Sequence, residues 1–404
     1  MKVKEQNVPV LRFPGFSGDW NIDRIKNYIS RVGVPVNVEP VKLYREIGIR
    51  SHGRGLFHKE PVTGKSLGNK RVFKIHVPAF VVNIVFAWEH AIAVTSDNEK
   101  GFIASHRFPM FVPVDGKSTL PFVRFFFLRK YGKHLLGLAS PGGAGRNKTL
   151  GQKNFEKLRV IFPEVDEQQK IASFLTAVDS KIEQLSKKKA LLEQYKKGMM
   201  QKLFSQELRF KDEQGNAFPD WEEKRLGGVA EIIGGGTPET GNSDYWGGNI
   251  QWFTPTEIKQ KYLSTSKRTI TEDGLKKSSA KKLPIGTLLL STRATVGDVA
   301  ISIKECSTNQ GFQSLVVKES NMNEYWYYWI KQNKTVLLRR SSGSTFLEIS
   351  KSEISKIKVL RPHHSEQNKI AAFLSSIDKK INLISTELNH AQSFKKGLLQ
   401  QMFV

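Results

Sequence analysis

The sequence predicts two globular domains of mixed α/β structure, separated by two long antiparallel coiled-coil helices and related by a pseudo-twofold internal repeat. Three observations lead there. The first is a repeat: EQQKIASFLTAVDSKIEQLSKKKALLEQYKKGMMQKLF at Glu167–Phe204 returns as EQNKIAAFLSSIDKKINLISTELNHAQSFKKGLLQQMF at Glu366–Phe403, offset by 199 residues and identical at 16 of 38 positions. The second is the stripe each copy carries. Ile171, Leu175, Val178, Ile182, Leu185, Leu192, Met199 and Leu203 advance in alternating steps of four and three, with Lys189 and Lys196 at the intervening seam positions. The later copy has Ile370, Leu374, Ile377, Ile381, Ile384, Leu388, Ala391, Leu398 and Met402, with Lys395 on the same seam. Such spacing is a heptad face, so each copy is expected to be a helix roughly 57 Å long. Two helices buried separately in two domains would show the same stripes, but seams of equal length satisfy each other, which favours pairing. The third observation is length: 404 residues exceed what one core usually supports.

Taken in order, the chain divides into a lead-in and first domain (1–165), a helix (166–207), a second domain (208–364) and a second helix (365–404). The lead-in carries LRFPGF and then Asp19-Trp20, and a related string, LRF followed by AFPDW, appears at 208–221. The first variable domain has β-branched and aromatic runs at Val72–Val77, Phe80–Trp88, Ala91–Thr95 and Phe108–Val114, broken by Pro, Gly and Asp, which read as strands. Phe122–Tyr131 fits a buried helix. Segment 45–71 is basic and carries Gly53, Gly55, Gly64 and Gly68, a composition suited to a mobile loop presenting cations. SPGGAGRNKTLG then leads to a helix cap and a short strand ending at Pro163. The second variable domain opens with GGGTPETGNSDYWGGNIQWFTPTEI, and near its end Ile354, Ile357, Val359 and Pro362 match Phe155, Leu158, Val160 and Pro163 at the same offset. Upstream of these the two domains share little. The frame is duplicated while its contents differ.

Lysine and arginine outnumber aspartate and glutamate by 63 to 38, a formal charge of +25 with a pI near 9.9. That excess points to a polyanionic partner and excludes an acidic DNA mimic. No apolar run reaches the ~18 residues of a membrane span, and the first residues do not resemble a signal peptide, so cytoplasm is the expected compartment. A single cysteine, Cys306, excludes an internal disulfide framework and a cysteine-based zinc site.

No catalytic, metal-binding or cofactor-binding set assembles. Without a G-x-x-x-x-G-K-[ST] motif, Gly234–Gly236 reads as a strand-end turn. A Pro-Asp…Glu-x-Lys nuclease set can be forced from Pro219, Asp220, Glu257 and Lys259, yet the first copy of that lead-in has Gly18-Asp19 instead. His363-His364 has no carboxylate or cysteine cluster beside it and reads as a solvated loop.

Nucleic-acid contact is better supported. Tyr245–Phe253 interleaves aromatics with glycines and amides, and Arg293 follows the apolar run Thr287–Leu290, placing a guanidinium on a rigid base as guanine readout requires. Gln251, Asn309, Gln310 and Gln313 offer amides suited to adenine edges. In the first domain the expected contacts are Arg50, His52, Arg54, Lys65, Lys70, Arg71, Arg146, Asn147 and Lys148. In the second they are Thr237, Tyr245, Trp246, Gln251, Thr254, Arg293, Thr295, Gln310, Gln313, Ser344 and Thr345. Any one of these also fits an ordinary polar surface, and the aromatic string also fits core packing. At the level of the chain, the rivals are a stand-alone nuclease or methyltransferase with DNA-binding lobes, and a scaffold whose charge binds RNA or acidic proteins.

The two EQ-x-KIA-x-FL…D-x-KI…KKG-x-x-Q helices, the LRFPGF…W lead-in, GGGTP…YWGGNIQWFTP, STRATVGDVAI and SSGSTFLEISKSEI together resemble the specificity subunit of type I restriction–modification systems. The first variable domain departs from that pattern, lacking GGTP, YWGG and the STRATVG strand. The resemblance implies a non-catalytic reader of double-stranded DNA whose two target-recognition domains each take one part of a bipartite site. It also implies that the seam residues pair the helices and dock two methyltransferase subunits, through which restriction subunits join. S-adenosylmethionine, ATP and Mg²⁺ then belong to the partners. A rod of about 57 Å spans at most ~17 base pairs, so two unlike blocks with an unread gap are expected.

Overall fold

The heptad stripes become two helices, Val165–Phe204 of 40 residues and His364–Gln401 of 38, in a computed structural model that describes residues 7–142, 148–293, 295–318, 323–343 and 347–404. Burial follows the stripes. Ile171, Leu175, Leu185, Ile370, Leu374, Ile377 and Ile384 are buried, and Val178, Ile182, Leu192, Ile381 and Leu388 are half-buried. The chain separates into two compact units, Met1–Lys187 with Thr386–Val404, and Lys188–Ser385, so each unit owns part of both long helices.

In the first unit, strands Ile92–Val94, Phe80–Val82, Met110–Pro113 and Ile29–Val32 form an antiparallel sheet in that spatial order. A second antiparallel sheet orders Ile103–Ser105, Val72–Lys74 and Val34–Pro35. The buried helix expected over 122–131 is two helices, Leu120–Leu128 and Lys130–Leu138, broken at the extended residue Arg129. Gly132 permits the turn, since a Cβ there would lie 2.5 Å from the Phe126 carbonyl oxygen. Phe122, Phe126 and Phe162 pack edge-to-face, and Phe403 stacks on Phe122, joining the domain to the end of the second long helix. The lead-in touches the start of the first helix, where Arg12 bonds Glu167, and the end of the second, where the Leu11 N–H donates to the Gln401 carbonyl, while Asp179 further along the first meets Lys395, so the two segments run antiparallel.

The second unit holds a five-stranded sheet, Ala230–Gly234, Gln313–Val317, Leu288–Leu290, Val299–Ser302 and Tyr262–Leu263, whose last pair is parallel. Strands Arg268–Ile270, Trp246–Phe253 and Cys306–Thr308 form a smaller mixed sheet. Helix Asn323–Gln332 fills the core with Tyr325, Trp326 and Tyr328. Here Arg209 meets Glu366 while Lys196 meets Asp378, again an antiparallel pairing.

The frame is the same in both units. Asn21–Arg24 pairs with Arg159–Phe162, and Glu222–Arg225 pairs with Lys358–Arg361, each antiparallel. The Gln168 and Gln367 side chains, both buried, donate at 2.9 Å to the carbonyls of Pro163 and Pro362. Arg12 forks onto Glu167 and Arg209 forks onto Glu366, so the arginine of each LRF lead-in clamps the first glutamate of each repeat. The seam lysines find partners too. Lys395 meets Asp179 and lies over the Phe125 ring, while Lys196 meets Asp378 at 2.5 Å and lies over Tyr328. A lysine on an apolar seam is tolerable because its stem packs and its ammonium meets both a carboxylate and a π face.

Candidate nucleic-acid interface

In the second unit the GGGTP segment is more than a turn. A Cβ on Gly235 would lie 2.0 Å from the Asn309 carbonyl oxygen, and one on Gly236 would lie 2.3 Å from the Ala280 nitrogen. Only glycine lets this segment pass against 308–309, and the approach brings the Thr237 hydroxyl onto the Gln310 side chain at 2.6 Å on the exposed surface. From there the polar ledge continues along the backbone. Thr292 donates to the Gly311 carbonyl at 2.9 Å and accepts from Ile349 at 3.1 Å, and the next residue, Arg293, forks onto Glu348. Ser291 and Thr292 are buried, so Arg293 does stand on a fixed base. The structure therefore gathers Thr237, Gln310 and Arg293.

Other expected contacts are committed to internal bonds. Gln251 accepts from the backbone and hydroxyl of Ser266 at 2.7 and 3.0 Å, which removes its carbonyl from any adenine edge. Thr254 is the cap of the 3-10 turn Pro255–Glu257 and bonds Glu257, while the Thr295 hydroxyl closes its own turn onto Ser291. Gln313 sits beside Gly234 with its side-chain oxygen buried and unpartnered among the described residues. Trp246 donates to the Glu239 carbonyl, packs edge-on against Trp252 and carries the Arg268 guanidinium 3.4 Å above its ring. Its role is thus to support an exposed cation. Arg268 was missed by sequence reasoning, although its place in the strand paired with the aromatic string was the available signal. Tyr245 is half-buried against Gly274. Ser344 and Thr345 lie outside the described residues.

Segment 45–71 of the first unit is not a mobile loop in fold. Ile47–Ile49 pairs with Leu56–His58, and Gly64–Leu67 is a helical turn. Two buried carboxylates organise it: Glu46 binds Lys59 at 3.3 Å and Lys70 at 2.5 Å, and Glu99 binds His58 at 2.6 Å. Lys70 is therefore an internal partner. Arg50 donates to the Leu56 carbonyl and Arg54 to that of Ser51, bracing the turn that contains the positive-φ residues His52 and Gly53. Lys65 and Arg71 are exposed, and Lys148 lies 5.9 Å from the Trp88 ring centroid. Arg146 and Asn147 lie outside the described residues.

The carboxylates of the forced nuclease set are used locally. Asp220 meets Arg209 at 3.5 Å, and Glu257 accepts from Thr254 and from the Lys267 backbone. A denser polar cluster, also missed, joins the second domain to its own stretch of long helix. Lys261 donates to Glu324, Tyr328 and Ser375 at 3.1, 2.9 and 2.8 Å, and Tyr328 donates to Asp378 at 2.5 Å. Burial, aided by the Lys196 charge, lowers the Lys261 ammonium below its ordinary range against the pull of Glu324 and Asp378. Burial pushes the Tyr328 phenol well up, and its bond to Asp378 adds to the shift.

A duplicated helical frame carrying two unlike β-rich domains marks a chain built by internal duplication. The family described as type I restriction modification DNA specificity domain matches residues 63–194 and 219–392, and the chain belongs to that family. The MjaIX specificity subunit of Methanocaldococcus jannaschii is 39% identical over 185 residues, 44% of this chain and 43% of the relative. The EcoR124I/EcoR124II specificity subunit of Escherichia coli is 27% identical over 174 residues, 41% of this chain and 43% of the relative. The chain thus spans less than half the length of these two curated relatives. Among solved structures, the S subunit from M. genitalium superposes with a TM-score of 0.62 at 16% identity, over 98% of this chain and 99% of the other. The HsdS subunit from Thermoanaerobacter tengcongensis gives 0.51 at 17% identity over 97% of each chain. At such identities the likeness is one of fold.

Proposed function

We propose that the chain is the non-catalytic specificity subunit of a type I restriction–modification complex, reading double-stranded DNA at a bipartite, non-palindromic site. The observation that carries this is one frame built twice around different contents: the same strand pair, glutamine lock and arginine clamp recur while the enclosed sheets differ. Two unlike domains read two unlike blocks. In this reading the long helices set the gap between the blocks and dock two methyltransferase subunits, and restriction subunits join through these. S-adenosylmethionine, ATP and Mg²⁺ are taken to belong to those partners, and the complex to the cytoplasm. The net charge of +25 supports phosphate contact along the duplex. The test is to co-express the chain with its methyltransferase partner and map methylated adenines across a genome, against a strain lacking the chain. A single two-block motif that disappears with the chain is expected, and methylation that persists unchanged overturns the proposal.

A further inference from the structure

Arg293 is an expected base reader whose guanidinium is held by a carboxylate. Glu348 accepts from Arg293 Nε at 3.1 Å and from Nη2 at 2.8 and 3.0 Å, and both side chains are about half exposed. The backbones that carry them are fixed as well. Arg293 and Glu348 face each other across an antiparallel bridge, Glu348 exchanges two 2.9 Å bonds with Ser342, and Ile349, 1% exposed, anchors the next position. A guanidinium has five N–H donors in a planar fork. Glu348 occupies the Nε/Nη2 edge, which leaves both Nη1 hydrogens and one on Nη2 directed away from the carboxylate. That remaining edge matches the O6/N7 pair of guanine in the major groove. A carboxylate beside a DNA backbone would repel phosphate, so the pair suits a base edge better than a phosphate.

We infer that Arg293 reads a guanine through its Nη1/Nη2 edge and that Glu348 is the positioning residue that holds this edge outward. Glu348 is thereby a specificity determinant of the second domain. The inference rests on the DNA-specificity reading above. Without Glu348 the arginine keeps its charge but loses its orientation, and a long flexible cation bonds any nearby acceptor.

The test uses the complex of this chain with its methyltransferase subunit, as wild type and with Arg293→Lys, Arg293→Ala or Glu348→Gln. Wild-type methylation defines the two blocks, and the variants should relax one guanine in a single block. A good bidentate pair discriminates roughly 5- to 150-fold, so a loss of about tenfold at that position is expected, with the other block unchanged. Glu348→Gln should relax the same position as Arg293→Lys. A merely structural role would instead lower methylation equally at every site. Placing 7-deazaguanine at that position probes the intact protein: it should weaken wild-type binding several-fold and leave Arg293→Ala binding unchanged. A uniform loss across sequences with a shallower salt dependence marks a phosphate contact and overturns the inference, as does indifference to 7-deazaguanine. If the wild-type complex methylates no defined sequence, the underlying family reading fails instead, before any variant is compared.

Discussion

Replacing Glu366 by alanine should cost the second unit about 3–4 kcal/mol, more than Glu167→Ala costs the first. The Glu366 side chain is fully buried and accepts from Arg209 Nε at 3.2 Å, Arg209 Nη2 at 2.9 Å and Trp221 Nε1 at 2.9 Å. Removing one member of a fully buried ion pair costs roughly 3–5 kcal/mol. Arg209 is 23% exposed and regains some water, so its share lies nearer 2 kcal/mol, on the order expected for a partly desolvated pair. The orphaned indole N–H adds about 1.5 kcal/mol, the lower end for a bond to a charged group. In the first unit Glu167 holds Arg12 at 2.8 and 2.7 Å, but Trp20 Nε1 has no partner among the described residues. Glu167→Ala therefore lacks the indole contribution. Urea unfolding of both variants, with a double-mutant cycle between Glu366→Ala and Trp221→Phe, measures the difference. A coupling of about 1.5 kcal/mol is expected, and equal losses for the two glutamates with zero coupling would refute the reasoning.

Three further outcomes are expected. Leu175→Ala, at a fully buried seam position, should destabilise by roughly 2–5 kcal/mol, whereas Leu191→Ala, 56% exposed, should stay within about 0.5 kcal/mol in the same unfolding assay. Burial pushes the Cys306 thiol up to about 12, so iodoacetamide at mild alkaline pH should modify it only as fast as the second unit opens; rapid labelling of folded protein would contradict that burial. Burial alone would raise the Glu324 carboxyl, but bonds from Ser375, Tyr262 and Lys261 prevail and lower it below the ordinary 4.5. A depressed carboxyl contributes its stability above the unfolded value and loses it as pH falls through the folded one. Wild type should therefore lose its melting-temperature advantage over Glu324→Gln as pH drops below 4.5, with no change in the gap near neutrality.

The frame was legible because both of its signals are periodic. A heptad stripe specifies a buried face whatever it packs against, and the offset of 199 residues shows that the face is used twice. The clamp between Arg12 and Glu167 was legible in principle, since both residues recur, as Arg209 and Glu366, but nothing in either string says that they meet. Contact chemistry was harder to read, because a polar side chain near an interface has two uses. Gln251 and Thr254 have the composition of base readers, yet a neighbouring turn and cap claim them, and that claim depends on backbone geometry rather than residue type. Lys70 illustrates the same limit: its positive charge was visible, but its buried partner Glu46 is 24 residues away. Arg268 was overlooked for the converse reason, since its exposure follows from a ring beneath it on the paired strand.

The chain enters and leaves each variable domain on adjacent strands, Asn21–Arg24 beside Arg159–Phe162 and Glu222–Arg225 beside Lys358–Arg361. Neighbouring strands lie roughly 5 Å apart, so whatever folds between them begins and ends at nearly the same point. Such a domain is a cassette. Its interior can be exchanged at the two strands without moving the helices or the arginine clamps, provided the newcomer's ends also meet and it offers the long helices contacts equivalent to those of Phe122 and Phe125 or of Lys261 and Tyr328. If the chain reads a two-block site as proposed above, an exchange at both boundary strands of one domain alters one block and leaves the other intact. In this architecture, the evolutionary unit is the span from strand to strand rather than the whole chain.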